Sequence, residues 1–345
     1  MSIRGLFTRD TRAEAVVWRR LHTPTTSLYF INACGQQVQA KRSDGGYEQI
    51  GPNCFRTDFA NLIIRQDLPE VIGPILADRT RKLVYLIDDH MAAYATDAEL
   101  PSSYSQRLAS RWQQCCLPAL TKAELVVTTS PFLSVYYGQY GPTAEINPAW
   151  HGSLTEGLEG KLAQNAGQGV TLAYLGTASH ETELAFLMPV LCRLLRDMPN
   201  VKLVLPGGIS LPAELTESGR VTQRWPVPWN AYQAQLKDEH FDICLYPSLN
   251  SPFAAGRSRN KLIEQALTGA FGIFSDCWPH AEFVAGSGAG SLVPNRPDAW
   301  LDGIAEAIAN LPNWRARSGQ VASLIRTLND LDGQRRFWER ELHSA

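Results

Sequence analysis

A strand, a loop, a helix and a second strand can be read in order from Tyr246-Pro-Ser-Leu-Asn-Ser-Pro-Phe-Ala-Ala-Gly-Arg-Ser-Arg-Asn-Lys-Leu-Ile-Glu-Gln-Ala-Leu-Thr-Gly269, which continues as Ala270-Phe-Gly-Ile-Phe-Ser-Asp276. Apolar side chains recur there at helical spacing and predict one buried helix face, made by Leu262, Ile263, Ala266 and Leu267. Ser258 is a natural N-cap for this helix, and Gly269 suits the left-handed position after its end. The segment therefore predicts a β-α-β unit with parallel strands.

The same alternation of apolar runs and helical patterns continues on both sides. In the first half, the predicted strands are 27–33, 61–65, 83–87, 124–128 and 143–147, and the predicted helices are 69–79, 105–120 and 131–140. In the second half, the predicted strands are 170–174, 201–205, 222–225, 241–246, 270–274 and 291–293, and the predicted helices are 181–195, 232–237, 259–268, 298–311, 314–328 and 333–342. This order favours the α/β class with two doubly wound, Rossmann-like domains.

The chain has 345 residues, which is about the length of two ordinary domains. The region 151–168 is rich in Gly, Ala, Asn and Gln and lacks periodicity, as is typical of a linker. We therefore expect a first domain over 1–150, a second over 169–330 and a terminal helical segment over 331–345. Because open parallel sheets bind ligands outside the carboxyl ends of their strands, the expected site lies in the cleft between the two domains.

Composition excludes several classes of protein. The formal net charge is −2, so a nucleic-acid-binding protein, which would carry a basic excess, is not expected. The 7 cysteines are scattered, which argues against a disulfide framework or a zinc site. Met1–Arg20 contains charged residues and no continuous apolar run, so we expect no secretory signal and a cytoplasmic location, with a peripheral position at the inner membrane as the alternative.

The start of the helix after Ser258 has the features of a diphosphate site. A helix N-terminus offers unpaired N–H groups and a positive dipole end, and Arg257 and Lys261 add positive charge beside it. Glu264 lies about 9 Å further along the helix axis at a rise of 1.5 Å per residue. That separation suits a phosphate and a ribose diol, whereas the plainer interpretation is a solvated Lys–Glu pair at i, i+3.

These residues resemble the donor-binding helix of GT-B glycosyltransferases, especially family 4-like enzymes that build bacterial surface polysaccharides. The matching residues are Arg257, Ser258, Lys261, Glu264, Gly269 and Ser275-Asp276. The resemblance implies that Arg257, Ser258 and Lys261 face the diphosphate of a nucleotide sugar and that Glu264 faces its ribose. Many of these enzymes carry a second glutamate eight positions before this one, and here that residue is Gly256.

A glycine-bearing loop opens the second predicted domain. The sequence Tyr174-Leu-Gly-Thr-Ala-Ser-His180 resembles the first strand-loop-helix of a GT-B C-terminal domain. The resemblance implies that Gly176 and Thr177 approach the donor phosphates. His180 is a candidate catalytic residue that would contact a phosphate or the acceptor, and simple solvation at a helix start is the alternative.

Two adjacent carboxylates end a strand of the first half. Asp88 and Asp89 follow the apolar run Leu83–Ile87, and His90 comes next. Either aspartate is a candidate general base for an acceptor hydroxyl, and helix capping by Asp89 is the alternative. One acidic pair supplies too few ligands for a divalent metal, so we expect no metal.

Two aromatic segments have a structural and a functional interpretation. Trp225, between Arg224 and Pro226, follows a predicted strand where GT-B relatives bind the nucleotide base, so it is a candidate for base stacking; packing beside the prolines is the alternative. The resemblance further implies that the last helix crosses back onto the first domain, and a membrane-surface helix is the weaker alternative.

The sequence thus predicts transfer of a sugar from a nucleoside-diphosphate sugar to a glycan or lipid-linked acceptor in bacterial surface polysaccharide assembly. The enzyme would be of the hexosyltransferase type and would work without a metal or a cofactor, with the nucleotide sugar as co-substrate. Other polysaccharide-assembly enzymes are expected as partners. The alternatives are a nucleotide-sugar epimerase on the same fold and a non-catalytic sugar- or nucleotide-binding member of a multi-enzyme assembly.

Overall fold

The structure is a computed structural model that describes residues 22–39, 45–65, 68–98, 100–152, 154, 157–160, 169–176 and 180–344. Met1–Arg20, much of the predicted linker and Thr177 lie outside the described residues. The chain divides into two compact units. The first comprises residues 1–88, 110–151 and 330–345, and the second comprises residues 89–109 and 152–329.

The first unit is built on a seven-stranded sheet whose strands follow chain order. These strands are β1 (Val38–Gln39), β2 (Tyr47–Gly51), β3 (Cys54–Arg56), β4 (Ala60–Ile64), β5 (Lys82–Ile87), β6 (Leu125–Thr128) and β7 (Thr143–Glu145). The pairings of β3 with both neighbours are antiparallel, and those from β4 to β7 are parallel. The four predicted strands from 61 onwards are therefore present, whereas β1 to β3 were not predicted.

Short helices precede and connect the strands of this first sheet along the chain. They are α1 (Pro24–Thr26), α2 (Asn32–Cys34), α3 (Pro69–Ala77), α4 (Ser102–Arg111), α5 (Leu117–Leu120) and α6 (Pro131–Tyr137). A π-helical turn, Trp112–Cys116, joins α4 to α5, so the predicted helix 105–120 is one continuous helical segment. Its last residues lie in the first unit and its first residues in the second.

The predicted strand 27–33 is wrong, because this segment is helical. A π-helix, Ser27–Ile31, follows α1 and leads into α2. The local reason lies at Thr23, whose side chain accepts the backbone N–H of Thr26 while Pro24 occupies the first helical position. Ser27, Leu28, Tyr29 and Phe30 are all buried, so their apolar run carries no periodicity that separates helix from strand.

The last helix, α14 (Leu331–His343), belongs to the first unit. Trp338 is fully buried, and its indole N–H donates to the carbonyl of Tyr29 at 2.7 Å. Its ring meets Phe30 edge-on with centroids 5.6 Å apart. The Thr57 hydroxyl donates to the carbonyl of Leu342. Helix α14 therefore closes the core of the unit that contains the helical segment 24–34.

The second unit contains a six-stranded sheet in which every pairing is parallel. Its strands are β8 (Val170–Ala173), β9 (Val201–Pro206), β10 (Val221–Arg224), β11 (Ile243–Tyr246), β12 (Phe271–Ser275) and β13 (Gly290–Val293). The spatial order is β10-β9-β8-β11-β12-β13. Numbered within the unit this is 3-2-1-4-5-6, the Rossmann order, and the direction of winding reverses between β8 and β11.

Helices connect these parallel strands, and those at 213–216 and 281–287 were not predicted. They are α7 (Glu181–Asp197), α8 (Ala213–Thr216), α9 (Trp229–Asp238), α10 (Asn260–Thr268), α11 (Ala281–Ser287), α12 (Pro297–Ala309) and α13 (Leu311–Arg326). Apolar residues of the strands pack against α7 and α12 in one core, which includes Leu172, Leu187, Ile243, Ile273 and Trp300. No helix in the described part of the chain combines the length and the apolar character needed to cross a bilayer.

Candidate functional site

The candidate site lies in the second unit, where the winding of its sheet reverses. Ligands of open parallel sheets bind outside the carboxyl ends of the strands at this point, because the two loops there diverge and leave a crevice. The loops are those after β8 and β11. The first carries Gly176 and leads to α7, and the second leads through Gly256 and Arg257 to α10.

Helix α10 begins one residue later than predicted and has a different N-cap residue. Its N-cap is Arg259, which makes no side-chain capping bond, so the prediction of Ser258 as N-cap is wrong. The backbone of Arg257 is extended, with φ −61° and ψ 139°, and the chain enters the helix only at Asn260. The predicted end is confirmed, because Gly269 has φ 68° and ψ 19°.

Lys261 joins the first turn of α10 to the loop after β8. Its ammonium donates to the carbonyl of Leu175 and to Glu264 Oε2, the latter at 2.8 Å. The Lys–Glu pair expected from the i, i+3 spacing is therefore present, and its side chains are only 27% and 13% exposed. Because the lysine also bonds the facing loop, this pair is part of the crevice and not of a solvated helix face.

Arg257 lies at the centre of a second cluster. Its guanidinium donates to Glu183 Oε1 at 3.3 Å and lies within 3.2 Å of both ring nitrogens of His180. The guanidinium carbon also stands 5.2 Å from the centre of the Phe253 ring, within cation–π range. Arg257 Nε is buried and has no hydrogen-bond partner among the described residues.

Glu183 is the acceptor on which this cluster converges. It receives hydrogen bonds from the Tyr174 hydroxyl at 2.9 Å and from His180 Nδ1 at 2.6 Å, in addition to the Arg257 contact. Burial alone would raise its pKa, but Arg257 and the hydrogen bonds of His180 and Tyr174 outweigh burial and lower the pKa to about 2. Glu183 is thus an ionised carboxylate inside the unit.

The tautomer of His180 follows from its partners. Nδ1 carries the proton that Glu183 accepts, so Nε2 is the acceptor that faces Arg257 Nη1. Burial and the nearby Arg257 charge lower the pKa of His180, which favours the neutral ring. Both nitrogens are used within the cluster, so the catalytic role predicted for His180 stays a prediction that would require Arg257 to release Nε2.

Gly176 makes room for Tyr174 beneath the loop. A Cβ at Gly176 would lie 2.8 Å from Cε1 of the Tyr174 ring, closer than real Cβ contacts. The glycine therefore lets the tyrosine hydroxyl reach Glu183. A phosphate-binding role for Gly176 remains a prediction, and so does that of Thr177, which lies outside the described residues.

His280 supports the approach to α10 and was missed in the sequence. Its Nε2–H donates to the carbonyl of Arg257 at 2.8 Å, while Nδ1 accepts from Arg259 Nε at 3.3 Å. Burial lowers its pKa to about 4. The neutral ring thereby ties the two arginines on either side of Ser258 to the loop after β12. No local signal marks this histidine, because its partners are 21 residues or more away.

The loop before Arg257 is held by a segment from the first half of the sequence. Residues 89–109 belong to the second unit, where Asp97 accepts the backbone N–H of Phe253 at 2.8 Å and His90 Nδ1 donates to the carbonyl of Pro252 at 2.8 Å. Tyr104 meets the Phe253 ring edge-on, with centroids 5.7 Å apart. These contacts fix the aromatic ring beneath Arg257, and none of them was predicted.

Asp88 lies in the first unit, at the carboxyl end of β5. One oxygen accepts from Arg65 Nη1 at 2.9 Å and the other from the hydroxyl of Thr25. Arg65 has φ 38°, a left-handed conformation that is strained for a side chain of this size. Asp88 is 7% exposed, and both of its oxygens are engaged, so a general-base role would require one contact to open.

Asp89 begins the segment that belongs to the second unit. Capping by Asp89 is wrong, because the 3-10 helix Met91–Ala95 has His90 as its N-cap. Its role as general base remains a prediction.

Trp225 follows the end of β10 and is 70% exposed, so the packing interpretation is wrong. The residue before it, Arg224, is held by Glu239 at 2.9 Å and stacks over the Tyr232 ring at 5.7 Å. An exposed indole at the carboxyl end of a parallel strand can offer a face to a planar ligand. Stacking on a base remains a prediction.

Solved structures share the fold of this chain at low sequence identity. A sucrose-phosphate synthase from Thermosynechococcus elongatus gives a TM-score of 0.58 at 18% identity, covering 82% of this chain and 73% of that chain. Anabaena HepE in complex with UDP-glucose gives 0.58 at 16% identity, covering 82% and 79%. WaaG, a glycosyltransferase involved in lipopolysaccharide biosynthesis, gives 0.55 at 14% identity, covering 80% of each chain.

No family model and no curated protein match this sequence. The fold likeness nevertheless agrees with the two α/β units and their parallel sheets. The chain therefore has the predicted GT-B fold.

Proposed function

We propose that the protein is a glycosyltransferase that takes its sugar from a nucleoside-diphosphate sugar. The observation that carries this proposal is the meeting of Arg257 and Lys261 with the loop after β8 at the reversal point of a Rossmann-ordered sheet. The HepE structures, which are complexes of that protein with UDP and with UDP-glucose, support a nucleotide sugar as the donor.

The charges at the crevice suit a diphosphate leaving group. During transfer, the bond between the sugar and the diphosphate breaks, and negative charge grows on the terminal phosphate. Arg257 and Lys261 would stabilise this charge electrostatically, a role that needs no metal. The Lys261 ammonium uses two of its three N–H donors on Glu264 and the Leu175 carbonyl, so the third can bind a phosphate. Release of Glu264 would leave this carboxylate free to accept from a ribose diol.

A second substrate must accept the sugar. We place a glycan or lipid-linked acceptor in surface polysaccharide assembly on the resemblance of the α10 segment, with Asp88 or Asp89 as the candidate base. WaaG is named as a glycosyltransferase of lipopolysaccharide biosynthesis, which agrees with such an acceptor class.

Gly256 favours one alternative function. It stands where related enzymes carry a second glutamate, so this chain could bind a nucleotide sugar without transferring it. A non-catalytic member of this kind would bind the donor but release no diphosphate with any acceptor fraction. An epimerase would release it with donor alone.

Thermal unfolding with a panel of nucleotides tests the proposal. We expect at least one of UDP, GDP, ADP, CDP and dTDP to raise the melting temperature, because a ligand that binds only the folded state stabilises it. The shift should fall in Lys261→Ala and Glu264→Ala, which remove the phosphate and ribose contacts. Lys237→Ala, an exposed lysine on α9, is the matched control and should shift like wild type. Equal shifts in all variants would remove the site assignment.

A further inference from the structure

We infer that Glu183 is a positioning residue that holds the Arg257 guanidinium in the orientation used for a diphosphate. The inference rests on the proposed function, because it concerns how that site is built. The structure places Glu183, in the first turn of α7, at the centre of the Arg257 cluster.

The Glu183 carboxylate is held in place by several hydrogen bonds. Three donors point at one carboxylate, namely the Tyr174 hydroxyl, His180 Nδ1 and Arg257 Nη2. The Glu183 side chain is 11% exposed, so water cannot replace these partners easily. A buried carboxylate with several hydrogen bonds and a cationic partner remains charged and resists displacement.

The remaining contacts of Arg257 restrict the orientation of its guanidinium. Its side chain is 24% exposed, and its guanidinium also contacts the His180 ring and the Phe253 ring. The carboxylate and the two rings therefore determine where the planar group points. Planar recognition of phosphate by arginine depends on that orientation, since its donors form a rigid fork.

Glutamine cannot replace Glu183 in this arrangement. An amide has one acceptor oxygen, and its NH2 group would face either His180 Nδ1–H or Arg257, both of which are donors. A tautomer change at His180 would not help, because Nε2–H would then face Arg257 Nη1. Glu183→Gln therefore breaks at least one contact of the cluster that holds the guanidinium, while it keeps the size of the side chain.

The direction of the change in binding affinity distinguishes a positioning role of Glu183 from a purely electrostatic one. If Glu183 acted only as a negative charge near the crevice, its removal would tighten the binding of an anion. If it orients Arg257, the same substitution weakens binding, by about 10- to 100-fold, because misplacement of a binding group by about 1 Å has effects of that size. Glu181→Gln removes the same charge from an exposed position of the same helix turn and serves as the matched control.

The test measures dissociation constants for the nucleoside diphosphate that the panel of UDP, GDP, ADP, CDP and dTDP selects. We expect weaker binding in Glu183→Gln and Arg257→Ala, no further loss in the double variant, and little change in Glu181→Gln. Glu183→Asp keeps the charge but withdraws it by one methylene, so it should weaken binding too if Glu183→Gln fails to fold.

Unchanged or tighter binding in the Glu183 variants would overturn the inference. So would an equal further loss in the Arg257→Ala background, because a purely structural role is independent of the guanidinium. Wild type that binds no nucleoside diphosphate would overturn the proposed function as well. Wild-type binding with unaffected Glu183 variants would overturn only the inference.

Discussion

Each cation of the candidate site already has a carboxylate partner. Arg257 faces Glu183, and Lys261 faces Glu264. A diphosphate must therefore compete with these carboxylates, and the two pairs are not equivalent. Among the described residues, the Glu264 carboxylate accepts a hydrogen bond from Lys261 alone, so we expect this pair to exchange. Glu183 has two further donors, so we expect it to keep Arg257.

Protonation of His280 should make the stability of the folded protein depend on pH. Its folded pKa of about 4 lies below its usual 6.5, so the folded protein favours the neutral ring. The associated stability is complete above pH 6.5 and is lost as pH falls from 6.5 to 4. Because His280 is only 3% exposed, we expect the full loss in the free energy of unfolding, which is about 3 kcal/mol at 1.36 kcal/mol per pKa unit. Burial also lowers the pKa of His90 and His180, so wild type reports all three groups.

The measurement compares urea unfolding of wild type and His280→Gln between pH 7.5 and 4. The variant should lose less free energy of unfolding on acidification, by about 3 kcal/mol, because one proton-linked step is gone. Parallel curves for the two proteins would contradict the assigned burial of this ring.

Helix α10 is the element that connects the fold to the site. Its apolar face is buried at Leu262, Ile263 and Ala266, while Lys261 and Glu264 occupy the other face. Gly269 ends the helix in the left-handed region and lets the chain turn directly into β12. One helix thus sets both the packing of the sheet and the place of two charged side chains.

Gly269→Ala tests the importance of this turn. A side chain in the left-handed region costs about 1–2 kcal/mol, and here the new Cβ would also collide with Leu158 Cδ1. Gly288 ends α11 at a similar φ of 65°, but a Cβ there would meet only Arg317 Nη2, at 3.4 Å. Gly288→Ala is therefore the control for backbone strain alone. In urea unfolding, Gly269→Ala should lose more stability than Gly288→Ala, and equal losses would show that the collision relaxes.

At the scale of the whole molecule, the last helix stabilises the first unit through contacts with Leu28, Tyr29 and Thr57. Trp338 donates to Tyr29, Gln334 donates to the carbonyl of Leu28 at 3.0 Å, and Thr57 donates to Leu342. These contacts join residues that are 285 to 309 positions apart in the sequence. The first unit therefore cannot be complete until the last helix has been added.

Trp338→Ala should weaken the first unit selectively. Removal of a fully buried tryptophan costs about 3–5 kcal/mol, because a cavity remains. Amide hydrogen exchange should rise in residues 24–34 and in β4, with little change in β8 and β11. Arg336→Ala, at an exposed position of the same helix, is the control and should leave exchange unchanged. A uniform rise over both units would contradict this picture.

Local signals in the sequence determined the alternation of strands and helices, the left-handed glycine after α10 and the placement of Arg257, Lys261 and Glu264 beside a helix start. Such features depend on periodicity and turn chemistry within a few residues, so they can be predicted before the tertiary structure is known. The tertiary structure alone decided the strands β1 to β3 and the roles of Glu183, His280 and Asp97, whereas the helical segment after Thr23 has a local cap that the apolar run concealed. The state of a buried polar or aromatic group depends on which distant residue fills the space beside it, and Glu183 and Arg257 are 74 positions apart.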